Sequence, residues 1–248
     1  MSKFRKKSIL PFIIVPVALV VTLFVANLAF GFVKFGDAGN KSGSHVNLPA
    51  ITVWAVCVGD FDSKDGALRK AKTVRNMGGA GFVLEKENKW KVIEGVYKTH
   101  EIAEEVLQNL DTSIQENAHI REMKIESKNV AIKNSAHTTI FTNVINSFTQ
   151  NFTILNDNLF KHKNGELGTN EVAQLALQKY NQLLEHVVAL DGIVQTAYNH
   201  FYAELMLGAQ RQLMTLYLLS TEKNSDNMQS HIKSTASNII FAYLSLPR

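Results

Sequence analysis

The sequence predicts an α+β chain: an N-terminal apolar helix, then a βαββαβ unit, then an all-α antiparallel helical bundle. Three observations predict it. Ile9 to Val33 carries no charge, a strand–glycine–helix motif occurs twice, and apolar residues recur at three- and four-residue spacing from about residue 135 onward.

The N-terminal segment is long enough to cross a hydrocarbon core of about 30 Å at about 1.5 Å per residue. Lys3, Arg5, Lys6 and Lys7 precede it. The positive-inside rule then places residues 1–8 in the cytoplasm as a basic tail, residues 9–33 across the cell membrane, and the rest outside. A cleaved signal peptide is the alternative, but the apolar stretch exceeds an ordinary signal core and no clean small-x-small site follows it. Residues 34–49, which include Gly, Asn and Ser, read as a flexible linker.

The repeated motif is Trp54-Ala55-Val56-Cys57-Val58-Gly59-Asp60-Phe61, returning as Trp90-Lys91-Val92-Ile93-Glu94-Gly95-Val96-Tyr97. Val53 to Val58 is a β-branched and aromatic run, hence a strand. Ser63 and Thr99 sit where an N-cap hydroxyl would accept from a helix amide, and Asp65 and Glu101 follow in the first turn. Ala67, Leu68, Ala71 and Val74 recur at helical spacing, as do Ile102, Ala103, Val106, Leu107 and Leu110. Residues 81–84 and 89–92 flank Glu87-Asn88 as a β-hairpin, and Ile120 to Ile125 forms the last strand. The predicted arrangement over residues 50–127 is ferredoxin-like, with two helices on one face of a sheet.

On these two motifs, residues 50–127 resemble a SPOR domain, the sporulation-related repeat found in membrane-anchored proteins of spore-forming Gram-positive bacteria. The resemblance covers roughly a third of the chain. It implies binding of peptidoglycan, as glycan strands stripped of stem peptides, at septa during sporulation or cell division. It also implies a glycan site on the open face of the sheet.

Strand alternation puts Trp54, Val56, Trp90 and Val92 under the helices and Ala55, Cys57, Lys91 and Ile93 on the open face. Those last four are the candidate glycan- or partner-binding residues. The chain departs from the family pattern here. Cys57 and Ile93 stand where polar residues are usual, and Glu94 stands where Val is common. An apolar face of this kind is expected to be partly covered, by the C-terminal region or by a partner.

From about residue 135 the pattern is helical. Ile140, Phe141, Val144, Ile145, Phe148, Phe152, Leu155 and Leu159 form one stripe, ended by Asn164-Gly165. A second helix starts at Thr169-Asn170-Glu171, a third spans about 193–219 after Asp191-Gly192, and a fourth spans about 228–244. Short connections make residues 128–248 an antiparallel bundle, with a protein partner or self-association expected through it.

The formal net charge is +4, and the four basic residues of the tail account for it, so no nucleic-acid footprint is expected. The single cysteine, Cys57, excludes an intramolecular disulfide framework. No His-Glu-x-x-His, paired Glu-x-x-His or Gly-x-Ser-x-Gly motif occurs in a supporting context, so neither enzyme activity, metal nor cofactor is expected. Two readings follow: a peptidoglycan-binding anchored protein, or a non-enzymatic scaffold whose sheet and bundle bind protein partners.

Overall fold

The computed structural model describes residues 44–132, 134–196, 200–223 and 225–247. The expected tail, membrane helix and residues 34–43 of the linker lie outside the described residues. In chain order the elements are β1 (Ser44–Leu48), β2 (Ile51–Phe61), α1 (Lys64–Asn76), β3 (Phe82–Lys86), β4 (Lys89–Tyr97), α2 (His100–Gln108), α3 (Thr112–Gln115), β5 (His119–Ile125), β6 (Lys128–Ile132), α4 (Thr138–Lys163), α5 (Thr169–Thr196), α6 (His200–Thr221) and α7 (Met228–Leu244). The fold is α+β, and among the described residues no helix is long and apolar enough to cross a membrane.

The two copies of the motif build β2 and β4, which pair antiparallel at the centre of a four-stranded sheet of order β3-β4-β2-β5. Each copy then caps its helix as its spacing predicts. Ser63 Oγ accepts from the Gly66 amide at 3.2 Å, and Thr99 Oγ1 accepts from the Ile102 amide at 3.3 Å. The β3–β4 hairpin turns on Glu87 and Asn88, with φ of 57° and 59°. Two consecutive left-handed residues define the tight turn whose twist matches the flanking strands.

Helix α1 buries Ala67, Ala71 and Val74 against Val58 and Val92. On the same side, Trp54 meets His100 at the start of α2 edge-on, with ring centroids 6.3 Å apart. The strand pairing is interrupted twice: Val56 pairs with Gly95, Cys57 with Ile93 and Gly59 with Val92. Glu94 and Val58 are thereby left out of register, one on each strand. Gly59 takes a φ of 151° at this irregularity, a conformation that side chains disfavour.

The helices beyond residue 137 pack in a ring: α4 on α5, α5 on α6, α6 on α7, and α7 back on α4. Phe141, Phe148 and Phe152 of α4 are fully or almost fully buried, each contributing roughly 2 kcal/mol of apolar burial. Asp191-Gly192 does not separate two helices, because α5 runs through it to Thr196. The stripe of Leu183, Val187, Leu190 and Val194 is buried on both sides of Gly192, and this burial outweighs the roughly 1 kcal/mol a helical glycine costs.

Two strands were not expected. Ser44–Leu48, read as linker, is a strand, and it pairs antiparallel with Lys128–Ile132 in a second, two-stranded sheet. Val46, Leu48 and Ile132 are buried in the same hydrophobic core as Phe141 and Phe148 of α4. That core also contains Val53, Ala55, Cys57 and Ile93, so sheet and helices share one interior and packing shows no boundary at residue 127.

A basic-rimmed groove on the sheet

Ala55, Cys57, Lys91 and Ile93 lie on one side of the sheet, opposite α1, and line a single groove of about 370 Å³. Strand pairing brings them together, since Cys57 faces Ile93 across the ladder and Asp60 faces Lys91. They are not on an open surface, however. All four are at most 7 % exposed, so they form a floor rather than a face. The cover comes from α7: Phe241 stacks on Phe82 of β3 with centroids 4.7 Å apart, and Leu244 lines the groove beside it. The covering expected from an apolar sheet face is thus supplied by the last helix of the same chain.

The groove keeps one polar side. Arg121 and Lys124 of β5 and Lys86 of β3 line it beside Leu84, with Glu122 the one carboxylate among them. Arg121 is placed there by pairing, directly across from Ala55. Its guanidinium donates to Glu87 at 3.4 Å, and its side chain is 30 % exposed. Lys91 pairs with Asp60 at 2.5 Å and Lys124 with Glu126 at 2.8 Å. Burial pushes the Cys57 thiol above its ordinary value; Arg121 opposes the shift, Asp60 adds to it and Lys91 again opposes it. The thiol is therefore a neutral, apolar part of the floor. Above the buried floor, the half-buried Leu84 and Met123 can pack the C–H face of a sugar, while the guanidinium and ammonium groups bind hydroxyl or carboxylate oxygens at its edge.

Arg121, Lys86 and Phe241 escape a reading of the repeated motif because they lie outside it. Arg121 had a signal, since strand alternation puts it on one face with Met123 and Ile125. Phe241 had none beyond its helical stripe.

The third departure from the motif pattern also has a structural cause. Glu94 is 3 % exposed, accepts from the Tyr97 hydroxyl at 2.5 Å and forms an ion pair with Lys233 of α7. Next to it, Ser230 Oγ donates to the Gly79 carbonyl at 2.7 Å. Burial raises the Tyr97 hydroxyl well above its ordinary value, and the Glu94 charge and hydrogen bond raise it further. Cys57, Ile93 and Glu94 thus suit a sheet that meets a helix. Among the described residues, no group of three or more His, Cys, Asp or Glu side chains is placed to hold a metal ion.

No protein-family model, curated protein or solved structure matches this chain.

Proposed function

We propose that this chain is a non-enzymatic, membrane-anchored extracytoplasmic protein whose ferredoxin-like, SPOR-type sheet binds peptidoglycan glycan strands at septa. The observation that carries the reading is the groove: the four residues picked from the repeated motif line one cleft, with Arg121, Lys86 and Lys124 at its side. Removal of stem peptides from a glycan strand exposes the lactyl carboxylates of its muramic acid residues. A groove with an apolar floor and a cationic rim suits such a strand better than one still carrying its peptides.

The test is co-sedimentation of the full chain, kept in mild detergent, with purified sacculi before and after amidase treatment. Pelleting that rises after treatment and falls with Arg121→Glu supports the reading. Equal absence of pelleting from both preparations, with the chain folded, overturns it.

A second reading is favoured by one observation, the burial of the floor beneath Phe241 and Leu244. In this reading the sheet is a structural base for the helices, and the protein is a scaffold that binds protein partners. Stable self-association of the full chain without wall binding would support it.

A further inference from the structure

The surface between α4 and α5 carries a second site, unrelated to the sheet. Two helices packed side by side ordinarily face each other with apolar stripes. Beyond those buried stripes, at the outer edge of the contact, α4 presents Asn143, Asn146 and Gln150 at three- and four-residue spacing, with Asn151 beside them. Across from them α5 presents Lys179 and His186. Between the helices lies a cleft of about 170 Å³.

The carboxamides are the informative groups. Asn151 is only 5 % exposed, lines the cleft and makes no side-chain hydrogen bond among the described residues. The rest of the side chain is enclosed, so the carboxamide donors and acceptor are reachable only from the cleft and meet no protein group there. Ser147, also in the lining, is satisfied: its Oγ donates to the Val144 carbonyl at 2.7 Å, and its carbonyl accepts from Gln212 Nε2 at 3.0 Å. Ser147 is thus closed, and the Asn151 carboxamide is left with open donors and an open acceptor.

Charge narrows the ligand. Lys179 donates to Gln182 Oε1 at 3.1 Å, and no carboxylate lines the cleft to neutralise it. Carboxamides both donate and accept, so they match a ligand that carries hydroxyl or amide groups. We propose that this cleft binds a small hydrophilic acid, a carboxylate flanked by amide or hydroxyl groups, with the carboxylate on Lys179 and the amide on Asn151. The volume admits one monosaccharide or one amino acid, not an extended polymer. Both an N-acetylated sugar acid and an N-acylated amino acid carry this chemistry.

The test uses the full chain in detergent, with side-chain amide NMR signals and melting temperature as readouts. The probes are N-acetylmuramic acid and N-acetylalanine, with N-acetylglucosamine and N-acetylalanine amide as uncharged counterparts. The expected result is saturable shifts of the Asn151 and Asn146 carboxamide signals with at least one acid, and binding roughly tenfold weaker for its uncharged counterpart. Which acid binds identifies the source. Lys179→Gln should reduce the acid to the level of the uncharged compound without changing the melting temperature. Asn151→Leu should abolish the shift of Asn146 and raise the melting temperature, as expected for a polar group kept for a ligand. Absence of shifts with both acids, or shifts unaffected by Lys179→Gln, would overturn the proposal. So would a melting temperature lowered by Asn151→Leu, which would give that carboxamide a packing role instead. The sheet groove shares no residue with this cleft, so the two sites stand or fall separately.

Discussion

Lys233 of α7 forms an ion pair with Glu94, the residue that the irregularity in β4 leaves without a partner on β2. Their side chains are 12 % and 4 % exposed, so the pair is largely removed from water. The contact joins two parts of the chain far apart in sequence.

Breaking that pair should be costly, and replacing it whole should not. Lys233→Met alone is expected to destabilise by about 3 kcal/mol, because it leaves a buried carboxylate uncompensated. Adding Glu94→Leu should recover most of the loss. Urea denaturation of the two single variants and the double variant measures this, and additive losses would contradict it.

Ile93 tests the cover on the sheet. If α7 holds this face closed in solution, Ile93→Glu forces a carboxylate into the floor and should destabilise by more than about 3 kcal/mol. A freely accessible face would tolerate the change. Thermal denaturation distinguishes the two, and unchanged stability would mean that the cover is absent.

The Cys57 thiol should be hard to modify. It is buried and its ionisation is suppressed. An aromatic disulfide reagent near neutral pH is expected to react at least roughly a hundredfold slower with the folded chain than in denaturant. Equal rates would show that the groove floor opens readily.

Alkaline pH should destabilise the fold. Tyr97 ionises less readily when folded than at its ordinary value of 10.0, and Cys57 less readily than at 9.0. Both groups stay protonated in either state at low pH, so their contribution is complete below those values. It is lost as pH rises above them and the unfolded chain alone releases protons. Urea midpoints from about pH 8 to about pH 11 should fall, with a smaller slope in Tyr97→Phe.

The β3–β4 turn should accept glycine at Asn88. Asn88 holds a φ of 59°, which glycine adopts without strain. Asn88→Gly keeps the turn type and is expected to change stability by less than about 1 kcal/mol, in the stabilising direction if strain relief exceeds the added chain entropy. A loss above that size would mean that the Asn88 side chain has a role of its own.

Much of the sheet was legible because its signals are local. Two copies of a strand–glycine–helix unit define β2, α1, β4 and α2, and Ser63 and Thr99 cap the helices at the expected spacing. Grouping Ala55, Cys57, Lys91 and Ile93 needed only alternation. Their burial was harder to read, because it depends on Phe241 and Leu244, far along the chain. β1 and β6 escaped for the same reason. Ser44–Leu48 has little strand character alone, and only its pairing with Lys128–Ile132 and its packing on α4 make it ordered. Asp191-Gly192 misled in the opposite sense, since a local helix-weakening signal was overridden by the apolar stripe around it.

The β1–β6 ladder also has a mechanical consequence. Ser44, at the start of β1, pairs with Ile132, at the end of β6 that leads toward α4. A pull on the chain before Ser44, resisted by the helices, would load both strands at this same end. The ladder would then peel open pair by pair from Ser44–Ile132, instead of shearing with all its hydrogen bonds loaded together. Because Val46 and Leu48 are buried in the core that the sheet shares with α4, peeling β1 away would begin to unpack the groove floor and the helices together.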